Sequence, residues 1–551
     1  MIDRWKGAEA TGRARLEWPQ IVAALILLNL LLVLPDRPSE LTAGFPFRIA
    51  PELPFIVLAL VLVRGWPGTL LRWAAVLFVV ASMVFSVADL VMRASLDRPF
   101  KPLLDLHLAS AGWDLVAGTV GPFSAVLIAI ALGGGLVLGA IGCIWATRRL
   151  ASIAVSVRRN AFAGAAGVAA VATVVVAAMG PIPIRFEAST SLVRHAEQMA
   201  RDIEVRRAFA VDTAPDRLSE AAPADLLAGL AGRDVLLFFV ESYGRSAIED
   251  PRYRPTLAPA LGSLDDAVTE VGAGIRSAWL TSPISGGQSW LAHATLLSGL
   301  WIDSQRRYEA LLTSGRQTLV HAFADAGWRT VAVMPAISQA WPQGTFYGYD
   351  RIYAAADLGY AGDPFNWVTM PDQYTLSALE RFELAAEGRA PVMAEVALIS
   401  SHAPWTPIAE LVPWDEVGDG SVFNRWANEG DPPAVVWQDF DRVRAQYVLA
   451  VEYAIRNLAS YLQNYLDDDT VVVILGDHQP APLITGEDAS RDVPIHIISR
   501  DSDVLSALDA WHWTDAADPT PTAPVMRMDA FRDAFLDVFT PSAASIASSQ
   551  P

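Results

Sequence analysis

The chain has 551 residues, of which 52% are hydrophobic and only 18% charged, and its mean hydropathy is +0.30. These values exclude an ordinary soluble enzyme and indicate that part of the chain lies in lipid. The first 180 residues hold 15 basic and 10 acidic residues, whereas the other 371 hold 26 and 50. The second part has no lysine. It therefore lacks the basic surface that would follow a phosphate backbone, which excludes nucleic acid as a partner.

Five apolar runs occur in the first third of the chain, near residues 20–36, 52–64, 72–93, 122–147 and 160–180. A helix needs about 20 apolar residues to span the hydrocarbon core, so these runs predict a transmembrane domain of five helices over residues 1–181. Ten basic residues flank one side of these runs and five flank the other. This asymmetry predicts a cytoplasmic N-terminus and an extracytoplasmic location for everything after residue 181.

Two residues inside the apolar runs have chemically notable side chains. Cys143 is the only cysteine, so the chain has no intrachain disulfide, no cysteine-based zinc cluster and no exposed thiol nucleophile. Asp89 lies near the end of the third run, where we expect its carboxylate to extend to water.

The rest of the chain is typical of an α/β protein. After a polar connector at residues 182–230, five β-rich apolar runs appear between residues 231 and 551, with helical stretches between them, the clearest at residues 439–466. The runs are residues 235–240, 330–333, 392–400, 470–475 and 493–499. Such alternation predicts a mostly parallel sheet covered by helices on both faces.

Three of these runs end in side chains that commonly bind metals. Glu241 follows the first run, His402 the third, and Asp477 with His478 the fourth. Each alone is an ordinary loop residue, but ligands in such sheets bind beyond the carboxyl ends of the strands. Together they predict a site for one divalent metal, and this set of oxygen and nitrogen ligands favours Mn²⁺ or Zn²⁺.

Ser289 is the candidate nucleophile. It follows a glycine turn and begins an apolar helical pattern, where free backbone N–H groups favour an oxyanion. The alternative is that Ser289 only caps the helix. His293 lies one turn further on the same helix face and is a candidate substrate contact. Three earlier hydroxyls, those of Thr281, Ser282 and Ser285, are weaker nucleophile candidates because they precede the glycines.

With these residues in place, the sequence resembles the membrane-anchored branch of the alkaline phosphatase/sulfatase superfamily. This branch includes lipoteichoic acid synthases, phosphoglycerol transferases and phosphoethanolamine transferases. The resemblance rests on four motifs in family order, at residues 239–244, 287–289, 401–404 and 476–478. It implies that Glu241, Ser289, Asp477 and His478 bind the metal and that Ser289 is the nucleophile. It further implies that His402 and Trp341 contact the substrate and that residues 231–551 form an alkaline phosphatase-like (sulfatase-like) domain.

Two departures from the family pattern narrow the function. The sulfatase signature, a Cys or Ser followed by x-Pro-x-Arg, is absent, which argues against sulfate ester hydrolysis. In residues 332–343 the chain has Met334 and Gln343 where the synthases have His and Arg. These two differences argue against glycerol phosphate as the recognised group, while the enzyme class implied by the resemblance stays a phosphoglycerol or phosphoethanolamine transferase.

The predicted function is the metal-dependent transfer of a phosphoryl-containing head group from a membrane phospholipid to a lipid or glycan acceptor, through a phospho-serine intermediate. The resemblance implies a monomer in the bacterial inner membrane with its catalytic domain on the periplasmic side. Two alternatives stay open. One is a phosphodiesterase or phosphatase of the same superfamily, and the other is a catalytically silent lipid-binding protein of the envelope.

Several further residues receive ordinary structural interpretations. Asp372 is expected to cap a helix, Arg351 to pair with a carboxylate and His496 to lie in the core. The tryptophans at positions 405, 414, 426 and 437 either form a lid that binds lipid or acceptor or cover the core.

Overall fold

The computed structural model describes residues 18–106, 108–153, 159–179, 186–212, 218 and 226–540. Contacts between residues divide the chain into two compact units. The first comprises residues 1–94, 98–106 and 123–203, and the second comprises residues 95–97, 107–122 and 204–551. The predicted three-part division at residues 181 and 230 stays a prediction.

In the described residues before position 213 the chain forms seven α-helices. They are α1 (Trp18–Leu32), α2 (Leu53–Leu62), α3 (Gly65–Leu96), α4 (Leu108–Val120), α5 (Pro122–Ser152), α6 (Arg159–Met179) and α7 (Glu187–Asp212). Within the described residues, α3, α5 and α6 are long and apolar enough to cross a membrane. The other two predicted spans coincide with α1 and α2, which have 15 and 10 residues and fall short of the ~20 needed. Three candidate spans are shown, and the bundle of five is not confirmed.

Asp89 does not extend to water, contrary to the prediction. Its side chain is fully buried in the first unit, where it accepts hydrogen bonds from the backbone N–H of Phe100 at 2.8 Å and from His195 Nε2 at 3.1 Å. The imidazole of His195 also bonds through Nδ1 to the Ser191 carbonyl at 2.8 Å and stacks on Phe85. A buried carboxylate is tolerated when it is paired, and here the pair holds α7 against α3.

The second unit contains one eight-stranded sheet. Its strands are β1 (Asp234–Val240), β2 (Gly274–Thr281), β3 (Arg329–Met334), β4 (Arg351–Ala354), β5 (Val392–Leu398), β6 (Thr470–Gly476), β7 (Asp492–Ser499) and β8 (Val525–Arg527). They lie in the order β4-β3-β5-β1-β6-β7-β2-β8, and β7 alone runs antiparallel to its neighbours. The predicted mostly parallel sheet is confirmed. All five predicted strands are present, and β2, β4 and β8 were not predicted.

The helices of this unit after the first strand are α8 (Arg245–Glu249), α9 (Arg254–Glu270), α10 (Ser289–Ser298), α11 (Gln305–Leu312), α12 (Leu319–Asp325), α13 (Asp372–Leu379), α14 (Asn424–Ala427), α15 (Pro433–Val436), α16 (Phe440–Tyr465), α17 (Pro482–Thr485), α18 (Ser502–Ala507) and α19 (Phe531–Phe539). Side chains of β1 alternate between two hydrophobic cores: Leu236 and Phe238 pack with α9 and α16, whereas Leu237 and Phe239 pack with α10 and α19. Helices thus cover both faces of the sheet, as predicted.

The four tryptophans singled out in the sequence pack in or against the first of these cores. Trp405 and Trp426 are buried, and Trp405 stacks on Trp437 with ring centroids 5.9 Å apart. Trp414 lies edge-on to Tyr461. These contacts favour the alternative in which the tryptophans cover the core.

Candidate active site

The first side of the site is the turn that follows β1. The strand is buried along its whole length and apolar after its first residue, Asp234, and Glu241 is the first residue beyond it. Ser242 has a φ of 56°, a left-handed conformation, and its hydroxyl donates to Glu241 Oε1 at 2.8 Å. Its backbone N–H donates to Asp477 Oδ1 at 2.8 Å. The turn therefore orients the Glu241 carboxylate and donates a hydrogen bond to the Asp477 carboxylate.

The second side is the turn that follows β6, the parallel neighbour of β1. A Cβ at Gly476 would lie 1.8 Å from the Tyr243 carbonyl oxygen, so only glycine allows the two turns to approach this closely. Asp477 and His478 come next, and Asp477 Oδ1 accepts from the His478 N–H at 2.6 Å. His478 Nδ1 lies 2.8 Å from the Gln479 carbonyl, which fixes Nδ1 as the donor and leaves Nε2 free to bind a ligand.

Glu241, Asp477 and His478 converge on one point, as the sequence predicts. One ligand atom from each lies within 4.8 Å of the others. Ser289 completes the set, because its hydroxyl donates to Glu241 Oε2 at 2.8 Å and lies 3.2 Å from His478 Nε2. Two carboxylates, one imidazole and one hydroxyl match the ligand chemistry of a four-coordinate divalent cation. The residues present therefore fit the metal that the resemblance implies.

The turn before α10 explains how Ser289 reaches this point. Gly286, Gly287 and Gln288 all have positive φ angles, of 77°, 142° and 70°. The N-cap position belongs to Gln288, and Ser289 is the first residue inside the helix. The alternative role of Ser289 as a simple cap is therefore wrong, and its hydroxyl is directed at Glu241 and His478 instead.

Two arginine side chains fix the C-terminal end of α10. Its last residue, Ser298, offers its carbonyl oxygen to Arg316 Nε at 2.8 Å and to Arg532 Nη1 at 3.0 Å. Both arginines are buried. Cations at a helix C-terminus complement its dipole and satisfy carbonyls that have no partner within the helix.

The pKa values in the cluster reflect acids packed together. Burial and the neighbouring Glu241 carboxylate raise the pKa of Asp477 to about 6. Burial opposes ionisation of Glu241, but the positive His478 outweighs it and holds the pKa of Glu241 well below its usual range. Burial also acts against the charged form of His478, yet the two carboxylates raise the pKa of His478 to about 9. A divalent cation would favour two ionised carboxylates and a neutral imidazole.

His402 lies in the loop that follows β5, on the other side of β1. The Ser401 hydroxyl donates to the backbone carbonyl of Glu241 at 2.5 Å, which joins this loop to the first turn. His402 is partly exposed, its Nδ1 lies 2.6 Å from the Ala403 carbonyl, and its charge contributes to the low pKa of Glu241. His402 therefore borders the cluster and is not one of the three residues that converge at its centre.

Asp372 does not cap a helix, and the prediction for it was wrong. Its Oδ1 accepts from the backbone N–H groups of Ile399 and Ser400, at 2.8 and 2.9 Å, and so fixes the loop that carries His402. Burial raises the pKa of Asp372 to about 6, although these hydrogen bonds act to lower it.

His293 and Trp341, the other predicted substrate contacts, belong to a neighbouring chain of side chains. His293 Nδ1 lies 2.6 Å from Glu395 Oε1, and the imidazole stacks on Phe239 with centroids 3.8 Å apart. The Tyr349 hydroxyl donates to the second oxygen of Glu395. Tyr347 connects Tyr349 to Trp341 through tilted ring contacts with centroids 5.9 and 6.0 Å apart.

The remaining sequence candidates have structural roles. Thr281 donates to Asp492 at 2.8 Å, and Ser282 donates to the Asp477 carbonyl at 2.7 Å. His496 is fully buried between Ser277 and Tyr243, as predicted, and burial lowers its pKa to about 3.

Arg351 pairs with Asp357 at 3.6 Å, as predicted. Sequence reasoning missed Glu395 and Tyr349. A single acid inside the apolar strand at residues 392–398 was the available signal, because an acid is almost never fully buried without a partner.

The fold and the cluster together define an alkaline phosphatase-like α/β domain with a candidate metal site at the carboxyl ends of its strands. Residues 279–491 match the Sulfatase family model, and this match confirms the resemblance to the alkaline phosphatase/sulfatase superfamily. None of the curated proteins compared with the chain matches it by sequence.

Solved structures that align with part of the chain include the following three. The lipoteichoic acid synthase LtaP from Listeria monocytogenes is 14% identical with a TM-score of 0.38, over 58% of this chain and 74% of that one. The phosphoglycerol transferase GacH from Streptococcus pyogenes is 13% identical with a TM-score of 0.36, over 61% and 91%. A phosphonate monoester hydrolase from Agrobacterium radiobacter is 15% identical with a TM-score of 0.34, over 56% and 73%.

Proposed function

We propose that the protein is a membrane-anchored transferase that moves a phosphoryl-containing head group from a membrane phospholipid to a lipid or glycan acceptor. The observation that carries this proposal is the position of the Ser289 hydroxyl, 2.8 Å from Glu241 Oε2 and 3.2 Å from His478 Nε2. A serine oxygen held among metal-type ligands at a helix N-terminus is suited to attack an electrophilic phosphorus.

Glu241, Asp477, His478 and Ser289 would hold one divalent cation, Mn²⁺ or Zn²⁺. When bound, the cation would promote loss of the Ser289 proton to solvent and offset the negative charge that develops on the phosphoryl oxygens. Backbone N–H groups at the start of α10, which have no partner within the helix, would be available to the same oxygens. His402, at the edge of the cluster, is placed to hold the phosphoryl group during both steps.

The reaction then has two steps. Ser289 Oγ forms a bond to phosphorus while the bond from phosphorus to the oxygen of the lipid portion breaks, which leaves the head group on Ser289. An acceptor hydroxyl next attacks the same phosphorus, and the bond to Ser289 Oγ breaks. A covalent intermediate divides one difficult displacement into two easier ones.

The membrane helices support a lipid as the donor. Among the described residues before β1, three helices are long and apolar enough to span a bilayer. A soluble substrate needs no such anchoring, whereas a phospholipid is concentrated in the bilayer. We extend the proposal to the bacterial inner membrane with the catalytic unit on the periplasmic side and the protein as a monomer.

Mass spectrometry of the purified protein after incubation with phospholipids labelled in the phosphate group tests the nucleophile. We expect the head-group phosphate to be recovered on the peptide that contains Ser289, and no label in the Ser289→Ala variant. Ser285→Ala is the matched control, because it removes a hydroxyl four residues earlier in the same segment, and it should retain the label. Label in the Ser289→Ala protein would remove the assignment.

A second measurement separates transfer from hydrolysis. Diacylglycerol release is followed with and without lipid and glycan fractions as acceptors. We expect release to stop after about one equivalent without an acceptor and to continue when one is added. Continuous release without any acceptor would favour the alternative, a phosphodiesterase in which water takes the second step.

A further inference from the structure

His293 sits in a setting that its neighbours define closely. It lies one helical turn after Ser289 in α10, and residues separated by four positions share one face of a helix, with about 5–6 Å between their Cβ atoms. Its imidazole stacks on Phe239, two residues before Glu241. The ring is thus held beside the nucleophile and against the strand that carries a metal ligand.

Glu395 fixes which nitrogen of His293 is available. One of its carboxylate oxygens bonds His293 Nδ1 at 2.6 Å, and the other accepts from the Tyr349 hydroxyl. An ionised carboxylate can only accept, so Nδ1 must carry the proton, and Nε2 is left to accept or donate. Only 2% of the Glu395 side chain is exposed, against 12% for His293.

A buried carboxylate that holds an imidazole by Nδ1 and leaves Nε2 open prepares the imidazole for acid–base chemistry. The carboxylate keeps the imidazole in one tautomer and orientation and stabilises the imidazolium when a proton arrives. Such an imidazole next to a nucleophile can give a proton to a leaving oxygen and take one back from the next alcohol.

We propose that His293 is the acid–base residue of this site and that Glu395 and Tyr349 are its positioning residues. The inference rests on the proposed function. In the first step, the proton on Nε2 passes to the alcohol oxygen that leaves phosphorus as the Ser289 Oγ–phosphorus bond forms. In the second step, Nε2 takes the proton of the acceptor hydroxyl while that oxygen bonds phosphorus and Ser289 Oγ departs, so no proton is gained or lost overall.

The dependence of the first step on the leaving group tests this role. The substrates are aryl phosphodiesters that share one head group and differ in the phenol that leaves, from 4-nitrophenol to unsubstituted phenol. Each ester is mixed with excess protein, and release of the phenol is followed in a single turnover. 4-Nitrophenolate leaves without a proton, whereas phenolate is a poorer leaving group. We expect His293→Gln to slow the phenol ester by about 10²-fold or more and the 4-nitrophenyl ester by less than about threefold.

A merely structural role would give a different result. If His293 only stabilised the fold, His293→Gln would slow all the esters by the same factor, and this outcome would overturn the proposal. Unchanged release of phenol would overturn it as well. Glu395→Gln is the second variant, because it retains the volume of the side chain and an acceptor for Tyr349. It should reproduce the selective loss with a smaller amplitude, and a uniform loss in this variant would contradict the positioning role.

The design also separates this inference from the donor assignment. Ser289→Ala should lose release from every aryl ester and from phospholipid. If the wild type cleaves aryl esters with the expected leaving-group pattern but never cleaves phospholipid, the lipid donor is wrong while the role of His293 stands. If phospholipid is cleaved but His293→Gln slows all aryl esters equally, the lipid donor stands while the role of His293 is wrong.

Discussion

Each unit of the chain contains a buried carboxylate beside a histidine, and the two arrangements have different consequences. In the first unit, Asp89 accepts from His195 and from the backbone N–H of Phe100, and these contacts join α3 to α7. In the second unit, Glu241 and Asp477 lie with His478 around a common centre that the Ser289 hydroxyl also reaches. The first is a contact between two elements, and the second is a convergence of four side chains.

The comparison shows that burial of an acid does not by itself indicate a functional site. Asp89 is less exposed than Glu241, at 0% against 8%. What distinguishes the second unit is that two carboxylates, an imidazole and a hydroxyl face one common centre. Burial and the neighbouring Glu241 carboxylate raise the pKa of Asp477, and a cation would stabilise the two carboxylates together, whereas Asp89 meets one imidazole and one backbone N–H, both at Oδ1.

Replacement of the metal ligand Glu241 should give the largest difference in turnover between the two kinds of buried acid. We expect Glu241→Gln to lower turnover by on the order of 10³-fold or more, because the variant loses a charge that holds the cation. Metal content, measured by elemental analysis, should fall in parallel. Glu380→Gln is the control, since Glu380 is a part-buried acid that accepts from Tyr461 outside the cluster. Equal losses in both variants would contradict the assignment of Glu241.

Metal removal should affect the stability of the second unit and not only its activity. A ligand that binds only the folded state at a thousand times its Kd stabilises that state by about 4.1 kcal/mol. We expect exhaustive chelation to abolish turnover and to lower the unfolding temperature, and Zn²⁺ or Mn²⁺ to restore both. The Glu241→Gln protein should show little of this shift. Full activity after chelation would be incompatible with the site described.

Asp372 provides a test of the loop beside the cluster through pH. Burial raises the pKa of Asp372 from its ordinary value of 3.8 to about 6 in the folded protein, so the cost of burying its ionised form appears as the pH rises from about 4 to 6 and is complete above that. The stability of the wild type should therefore rise as the pH falls from 7.5 toward 4, by up to about 3 kcal/mol from this group. Asp372→Asn should lack that contribution and be the more stable protein at pH 7.5. A stability difference between the two proteins that does not vary with pH would refute this expectation.

The smallest effect is expected at the acid of the first unit. Asp89→Ala leaves two donors without their acceptor, which costs about 1–3 kcal/mol of unfolding free energy. Thermal unfolding in detergent measures this loss, and release of phenols from aryl esters should hardly change. The control is Asp36→Ala, which breaks the more exposed pair with Arg194 at 2.9 Å and should lose less than about 1 kcal/mol. A large loss of phenol release in Asp89→Ala would contradict the structural role assigned to Asp89 and with it the contrast between the two units.

The parts of the site that were predictable lie directly after apolar runs. Glu241, Asp477 and His478 follow buried strands, and the carboxyl ends of parallel strands meet at one edge of a sheet. Ser289 was recognisable from its glycine turn. The reversed direction of β7 was not, because an apolar run has the same composition whichever way the strand runs. The short edge strands β4 and β8 have too few apolar residues to be recognised.

Contacts between distant positions account for the rest. His293 and Glu395 are 102 positions apart, and Asp89 and His195 are 106 apart. Nothing local in the sequence states that these side chains meet. The prediction for Asp89 was wrong for this reason, since it considered only one helix and the surrounding lipid.

The buried guanidinium groups at the end of α10 have a consequence for variation in this protein. A helix of ten residues is about 15 Å long. Arg316 and Arg532 therefore hold α10 at the end farthest from Ser289. Natural variants at these two positions would leave every ligand residue intact and still loosen the helix that positions the serine oxygen. Screens that look for loss of function only near the serine would overlook them.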